Sequence, residues 1–139
     1  MISRVLLDTG PLVAILSRRD DYHRVCVEQL RELSPPLLTC WPVLTEAAWL
    51  LRKEPLAIQR LFQGFETGLL KLLTLDETAA PWIAAFLHRY RELGAQLADA
   101  CLVYLAEHEN IETVFPLDRR DFSVYRLTDK RSLNILPDA

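Results

Sequence analysis

Four acidic residues stand alone in apolar surroundings, and their isolation is the strongest chemical signal in the sequence. Asp8 is the only charge between Val5 and Ser17, Glu46 the only one between Leu33 and Leu51, and Asp99 the only one between Leu93 and Ala106. Asp118 follows the apolar run Val114-Phe115-Pro116-Leu117. A carboxylate is costly to bury without a partner, and no Lys or Arg shares the runs of Asp8, Glu46 or Asp99. Two arrangements resolve this: cations from elsewhere in the chain pair with them, or a divalent ion binds the cluster. An oxygen-only set without His or Cys suits Mg²⁺ or Mn²⁺. Each residue also has a plain structural role available. Asp8 can cap a helix starting at Pro11, Asp99 can sit at a helix start, Glu46 can be an exposed helix residue, and Asp118-Arg119-Arg120-Asp121 can be a charged turn. Asp121 either joins the acidic group or caps the short turn at Phe122.

The elements that must position these residues are legible from apolar patterning. Val5-Leu6-Leu7 reads as a short buried strand, Leu37-Leu38-Thr39 as a second, Leu69 to Leu75 as a third, Val114-Phe115 as a fourth and Leu133 to Leu136 as a fifth. Between them the sequence predicts helices from Pro11 to Leu16, Tyr22 to Leu33, Val43 to Leu51, Pro55 to Thr67 with Gly68 as its stop, Thr78 to Tyr90, and Ala98 to Glu109. Strands alternating with helices imply an α/β fold around a mainly parallel sheet of about five short strands. In such sheets the ligand site lies beyond the carboxyl ends of the strands. Asp8 and Asp118 end strands at that edge, Asp99 lies in a first helical turn, and Glu46 follows the turn leaving the second strand. All four are therefore expected to converge there.

Composition bounds the rest. A chain of 139 residues is one domain of ordinary size. Hydrophobic residues at 50% and charged residues at 25% exclude a disordered chain. A net charge of −3 argues against a generic polyelectrolyte coat for DNA but not against an enzyme with a local basic patch. Cys26, Cys40 and Cys101 are odd in number, widely spaced and set among apolar neighbours, so reduced core thiols and a reducing, cytoplasmic setting are expected. Asp8 interrupts what would be the apolar region of a signal peptide, and no run approaches the ~18 apolar residues of a membrane span. His23, His88 and His108 have no metal-ligand spacing and read as surface or helix residues. Trp41 and Trp49 flank Glu46; core packing is the expected role for both, and stacking on a nucleobase the other.

Four segments, in order, resemble the motifs of PIN-domain nucleases: Leu6-Leu7-Asp8-Thr9-Gly10-Pro11-Leu12-Val13-Ala14, Pro42-Val43-Leu44-Thr45-Glu46-Ala47-Ala48-Trp49-Leu50-Leu51, Leu97-Ala98-Asp99-Ala100-Cys101-Leu102, and Leu117-Asp118-Arg119-Arg120-Asp121-Phe122. Within that family the chain is most similar to VapC-like toxins of toxin–antitoxin pairs. The resemblance implies a three-layer α/β/α sandwich over residues 1–139 and cleavage of RNA phosphodiesters that depends on one or two Mg²⁺ or Mn²⁺ ions and an activated water. It makes Asp8, Glu46, Asp99 and Asp118 the acidic quartet. Asp8, Asp99 and Asp118 would be the main ligands, and Glu46 a water-mediated ligand or a base. Thr9 and Asp121 would support them. It also implies a small antitoxin partner and a homodimer. Pro116 stands where relatives often carry Thr or Ser, which removes a hydroxyl near Asp118 but no ligand. Arg18, Arg19, Arg52, Arg119 and Arg120 lie close to the acidic motifs and are candidate phosphate contacts.

Other readings are weaker. Asp8-Thr9-Gly10 matches the triplet of aspartic proteases, but those proteins are β-rich with glycine-rich flaps, and this chain has 4 glycines. An aspartyl-phosphate phosphatase needs an acid where Gly10 stands, and a phospho-receiver domain needs one where Thr9 stands. The main non-enzymatic alternative is a catalytically inactive PIN-like scaffold for protein or RNA.

Overall fold

Parallel strands buried on both faces must be apolar throughout, and three-residue runs suffice when the sheet is short. In the computed structural model, which describes residues 1–137, this holds for the central strand, while the polar Lys71 and Asn134 fall exposed on the outer strands. Strands β1 (Val5–Leu7), β2 (Leu37–Thr39), β3 (Leu70–Leu72), β4 (Thr113–Phe115) and β5 (Asn134–Ile135) form one sheet in the order β3-β2-β1-β4-β5. Every pairing is parallel, with Leu6 opposite Leu38 on one side and Val114 on the other. β1 is central, and its three side chains are fully buried.

Among the described residues seven α-helices connect the strands: α1 (Thr9–Leu16), α2 (His23–Leu30), α3 (Trp41–Leu50), α4 (Pro55–Thr67), α5 (Ala80–Arg89), α6 (Leu97–His108) and α7 (Arg119–Val124). Right-handed crossovers place α1 to α4 on one face, because the chain steps outward from β1 to β3. They place α5 and α6 on the other, because the chain then returns past β1 to β4. The packing agrees: α1 rests on α2, α3 and α4, and α5 on α6. The reversal of direction falls between β1 and β4, where open α/β sheets form a crevice at their carboxyl ends.

The expected elements are present, with differences at their ends. α1 starts at Thr9 rather than Pro11, because Asp8 itself caps the helix and Pro11 occupies its first turn. α2 stops at Leu30, since Leu33 leaves the helical path to bridge Ile2 beside the sheet. α4 runs as expected from Pro55 to Thr67 and ends on Gly68 at φ 85°, a left-handed geometry that favours glycine. The segment expected as one helix from Thr78 is a 3₁₀ turn at Glu77–Ala79, capped by Asp76, leading into α5. β3 is shorter than the apolar run Leu69 to Leu75, because its partner β2 offers only three residues. α7 falls where the sequence predicts only a turn, because six residues carry too little periodicity to announce a helix.

The three cysteines are free thiols in the interior, and burial raises the pKa of each. Among the described residues no helix is long and apolar enough to cross a membrane. The tryptophans depart from expectation: Trp41 is 56% exposed and Trp49 64%. They occupy the face of α3 turned from the sheet, where the α3 core positions Val43, Leu44 and Ala47 have already filled the buried stripe.

Candidate active site

The carboxyl edge of the sheet collects the acidic residues by ordinary local rules. Asp8 follows β1 directly, and its amide still donates to the Phe115 carbonyl of β4 at 3.1 Å. Its side chain caps α1, Oδ1 accepting the Thr9 amide at 2.8 Å. Asp118 follows β4 by three residues and caps α7, with Oδ1 accepting the Arg120 amide at 3.1 Å. Asp99 is the third residue of α6 and closes a capping box with Gln96, a geometry that settles the helix start. Glu46 sits near the middle of α3, which touches α6. Thr9 is almost fully buried, and its hydroxyl donates to Glu46 Oε2 at 3.3 Å.

These positions meet in one cleft of about 280 Å³ lined by Asp8, Glu46, Asp99, Asp118 and Asp121, with Thr9, Gly10, Gly94, Gln96, Leu117 and Phe122. Among the described residues no Lys, Arg or His lines it. The first of the two arrangements open to the sequence, neutralisation by cations folding in, is thus not what the described residues do at Asp8, Glu46 or Asp99. Gly10 has a geometric role here. A Cβ at this position would lie 3.1 Å from Leu117 Cβ, so glycine lets the β4–α7 loop close onto the start of α1 and brings Asp118 toward Asp8.

The electrostatics record the crowding. Burial pushes the Asp8 carboxyl up to about 7; the Thr9 amide opposes this, and the charges of Asp99, Glu46 and Asp118 add to it. Asp99 is also raised, first by burial and then by Asp121 and Asp118, against the lowering effect of hydrogen bonds from Tyr125 and the Gln96 amide. Asp121 Oδ1 is buried without a hydrogen-bond partner. Arg120 Nε lies 3.5 Å from it, within ion-pair range but without hydrogen-bond geometry, and that arginine is largely solvated. As the side chains stand, among the described residues no three His, Cys, Asp or Glu groups are drawn tightly enough together to ligate one ion. Each quartet carboxylate is instead turned toward a local donor.

Tyr125 had no signal in the sequence. It follows α7, is fully buried, and donates its hydroxyl to Asp99 Oδ2 at 2.8 Å. Burial, followed by the bond to the Asp99 carboxylate, raises its pKa, so it remains a donor at neutral pH. The basic candidates lie outside the cleft lining. Arg119 donates to the carbonyls of Ile135 and Pro137 and ties α7 to β5. Arg52 lies over the Trp49 ring at 3.9 Å and donates to the Trp49 carbonyl. Arg18, Arg19 and Arg120 are exposed. Beside the cleft, an apolar groove of about 420 Å³ runs along Trp41, Trp49 and Leu97 and shares Glu46 and Gln96 with it. Of the histidines, His23 bonds the Ala14 carbonyl through Nδ1 at 2.6 Å, and His88 and His108 are exposed at helix ends.

Removing the Thr9 hydroxyl tests the local scaffold. Thr9→Val is expected to cost about 1 kcal/mol, the usual net worth of one hydrogen bond, read as a lower urea midpoint with unchanged slope.

No curated protein matches the sequence. Among solved structures, the chain superposes on the Mycobacterium tuberculosis toxin VapC20, which cleaves the sarcin-ricin loop, with a TM-score of 0.74 and 16% identity, over 84% of this chain and 91% of that one. It also superposes on VapBC2 from Rickettsia felis, bound to a DNA fragment from its promoter, with a TM-score of 0.61 and 16% identity, over 97% of each chain. At that identity the likeness is one of fold. The PIN domain family model matches residues 5–127, which takes in β1, β4, α7 and every carboxylate of the cleft. The chain belongs to the PIN-domain family.

Proposed function

We propose that this chain is an endoribonuclease that hydrolyses RNA phosphodiester bonds with Mg²⁺ or Mn²⁺, and that it is the toxin of a toxin–antitoxin pair. The observation that carries the reading is the cleft itself: five carboxyl groups at the switch point of a parallel sheet, with no cation among the described residues lining it and a buried carboxylate oxygen that accepts no hydrogen bond. That donor set is all oxygen, as Mg²⁺ and Mn²⁺ prefer. Asp8, Asp99 and Asp118 would hold the ion, and Asp121 would offer Oδ1, which accepts no hydrogen bond, from the same helix that Asp118 caps. When bound, the ion makes a nucleophilic water available near neutral pH and offsets charge on the scissile phosphate. Glu46, steadied by the Thr9 hydroxyl, either takes the proton of that water or holds a hydrated ion. Exposed Arg18, Arg19 and Arg120 are the side chains available to reach RNA phosphates. Arg119, held by the carbonyls near β5, and Arg52, stacked on Trp49, are less free to do so.

The partner reading draws on the likeness to VapC20, named as a toxin, and to VapBC2, named as bound to a DNA fragment from its promoter. A small antitoxin and a homodimer belong to it, and sedimentation with and without the neighbouring gene product checks both. Three free buried thiols fit a reducing, cytoplasmic setting.

The reading is tested by incubating purified protein with structured RNA in Mn²⁺ or in EDTA. Cleavage is expected only with the metal, at defined sites, and without 2′,3′-cyclic phosphate ends, since water rather than the ribose 2′-hydroxyl attacks. Binding of RNA without cleavage in Mn²⁺ would instead identify an inactive scaffold.

A further inference from the structure

We propose that Tyr125 is the positioning residue for Asp99, fixing the rotation of that carboxylate so that one oxygen is presented to the ion; the inference rests on the metal-dependent reading above. Asp99 Oδ2 is engaged twice, by the Tyr125 hydroxyl at 2.8 Å and by the Gln96 amide at 3.4 Å. Both donors sit on the same oxygen, and among the described residues none is bonded to Oδ1. A carboxylate held through one oxygen has lost its freedom to swing, and its other oxygen is the one free to bind. Hydrogen-bonded ligands of this kind lose metal affinity when their supporting partner is removed.

The tyrosine is built to hold its place. Its ring is fully buried between Phe86, Tyr90 and Phe122, with centroids 4.9, 4.9 and 5.1 Å away. Its backbone amide donates to the Asp121 carbonyl at 3.2 Å, closing α7. Asp118 caps that helix and Asp121 lies in its first turn, so one six-residue helix carries two cleft carboxylates and ends in the hydroxyl that grips a third. Docking α7 through Tyr125 therefore sets Asp99, Asp118 and Asp121 in register together. A tyrosine merely filling the core would need its hydroxyl satisfied, but not by the single carboxylate that opens α6 into the cleft.

Tyr125→Phe keeps the ring and removes only the hydroxyl. Tyr90→Phe is the control: it removes a hydroxyl from the same aromatic cluster, one that accepts from the Arg126 amide and does not touch Asp99. Mn²⁺ titration by calorimetry should give a dissociation constant at least about tenfold weaker for Tyr125→Phe and within twofold of wild type for Tyr90→Phe. RNA cleavage at saturating Mn²⁺ should lose kcat rather than gain KM. If Tyr125→Phe melts below the assay temperature, 3-fluorotyrosine at position 125 replaces it. That residue keeps the packing and strengthens the donor, and a change in Mn²⁺ affinity beyond twofold supports the role. An unchanged affinity in a folded Tyr125 variant overturns the inference and leaves the metal site standing. A wild type that takes up no Mn²⁺ overturns both.

Discussion

Asp99→Asn is expected to raise the melting temperature of the metal-free protein while abolishing its response to Mn²⁺. Two opposing effects act on stability. Loss of a negative charge in the first turn of α6 removes a dipole interaction of about 0.3–1 kcal/mol. Against it stand burial of the carboxylate and the neighbouring charges of Asp121 and Asp118. Burial, with the charges of Asp121 and Asp118, holds the Asp99 carboxyl above its ordinary value despite two favourable hydrogen bonds. The folded environment thus prefers the neutral form, which asparagine mimics. Its amide can still engage Tyr125 and the Gln96 amide. A gain of about 1 kcal/mol, or roughly 4 °C, is the expected scale for relieving a functional site. Mn²⁺ at ~100 times its dissociation constant should add about 2.7 kcal/mol to the wild type and nothing to the variant. Cleavage should fall on the order of 10³-fold, since a metal supplies several kcal/mol to the barrier. A destabilised variant that still responds to Mn²⁺ would mean that Asp99 is a structural cap.

Asp8 governs the second large effect, which is a pH dependence. Its carboxyl is pushed from an ordinary 3.8 up to about 7, so between those values the folded state holds a proton that the unfolded chain has released. Stability then falls as pH rises through this window, and is highest, as far as Asp8 is concerned, below about pH 4. The full excursion is of order 4 kcal/mol, an upper figure for one group. Other acids run the opposite way: Glu107, whose pKa is lowered chiefly by bonds from Thr128 and Trp82 against a burial cost, loses its contribution on acidification. The clean quantity is therefore the difference between wild type and Asp8→Asn, which keeps a competent helix cap. That difference should move in favour of the variant from pH 4 to pH 8 and then level off. Mn²⁺ must displace the same proton, so its affinity should rise about tenfold per pH unit up to about 7. Urea melts across this range, with and without Mn²⁺, measure both. Parallel curves for the two proteins would place the raised acid elsewhere.

The parts of this molecule that were readable in the sequence share a physical cause. Val5-Leu6-Leu7 and Leu37-Leu38 had to be apolar on both faces to lie in the middle of a parallel sheet, so composition marks them, and Thr39 fits beside them because its hydroxyl donates to the Leu7 carbonyl. Pro55 and Gly68 bound α4 because each enforces a backbone geometry that a helix end requires. The quartet was visible because a lone acid in an apolar run must have a reason, and the strand–helix order placed those acids at one edge. Long-range contacts were not visible. Tyr125 lies in none of the motifs, and its partner lies 26 residues away. The hold of the Ile135 and Pro137 carbonyls on Arg119 was equally invisible. The exposure of Trp41 and Trp49 depends on which face of α3 the sheet covers, and an almost wholly apolar helix does not declare that face.

The central claim is that the carboxyl groups at the β1–β4 switch point hold a divalent ion. Anomalous diffraction from a crystal grown in Mn²⁺ tests it most directly. The account predicts a peak within coordination distance of the Asp8, Asp99 and Asp118 carboxylates, with Asp99 contributing the oxygen that Tyr125 does not hold. A cleft empty of anomalous signal in a crystal saturated with Mn²⁺, or a peak coordinated only by residues elsewhere, would contradict it.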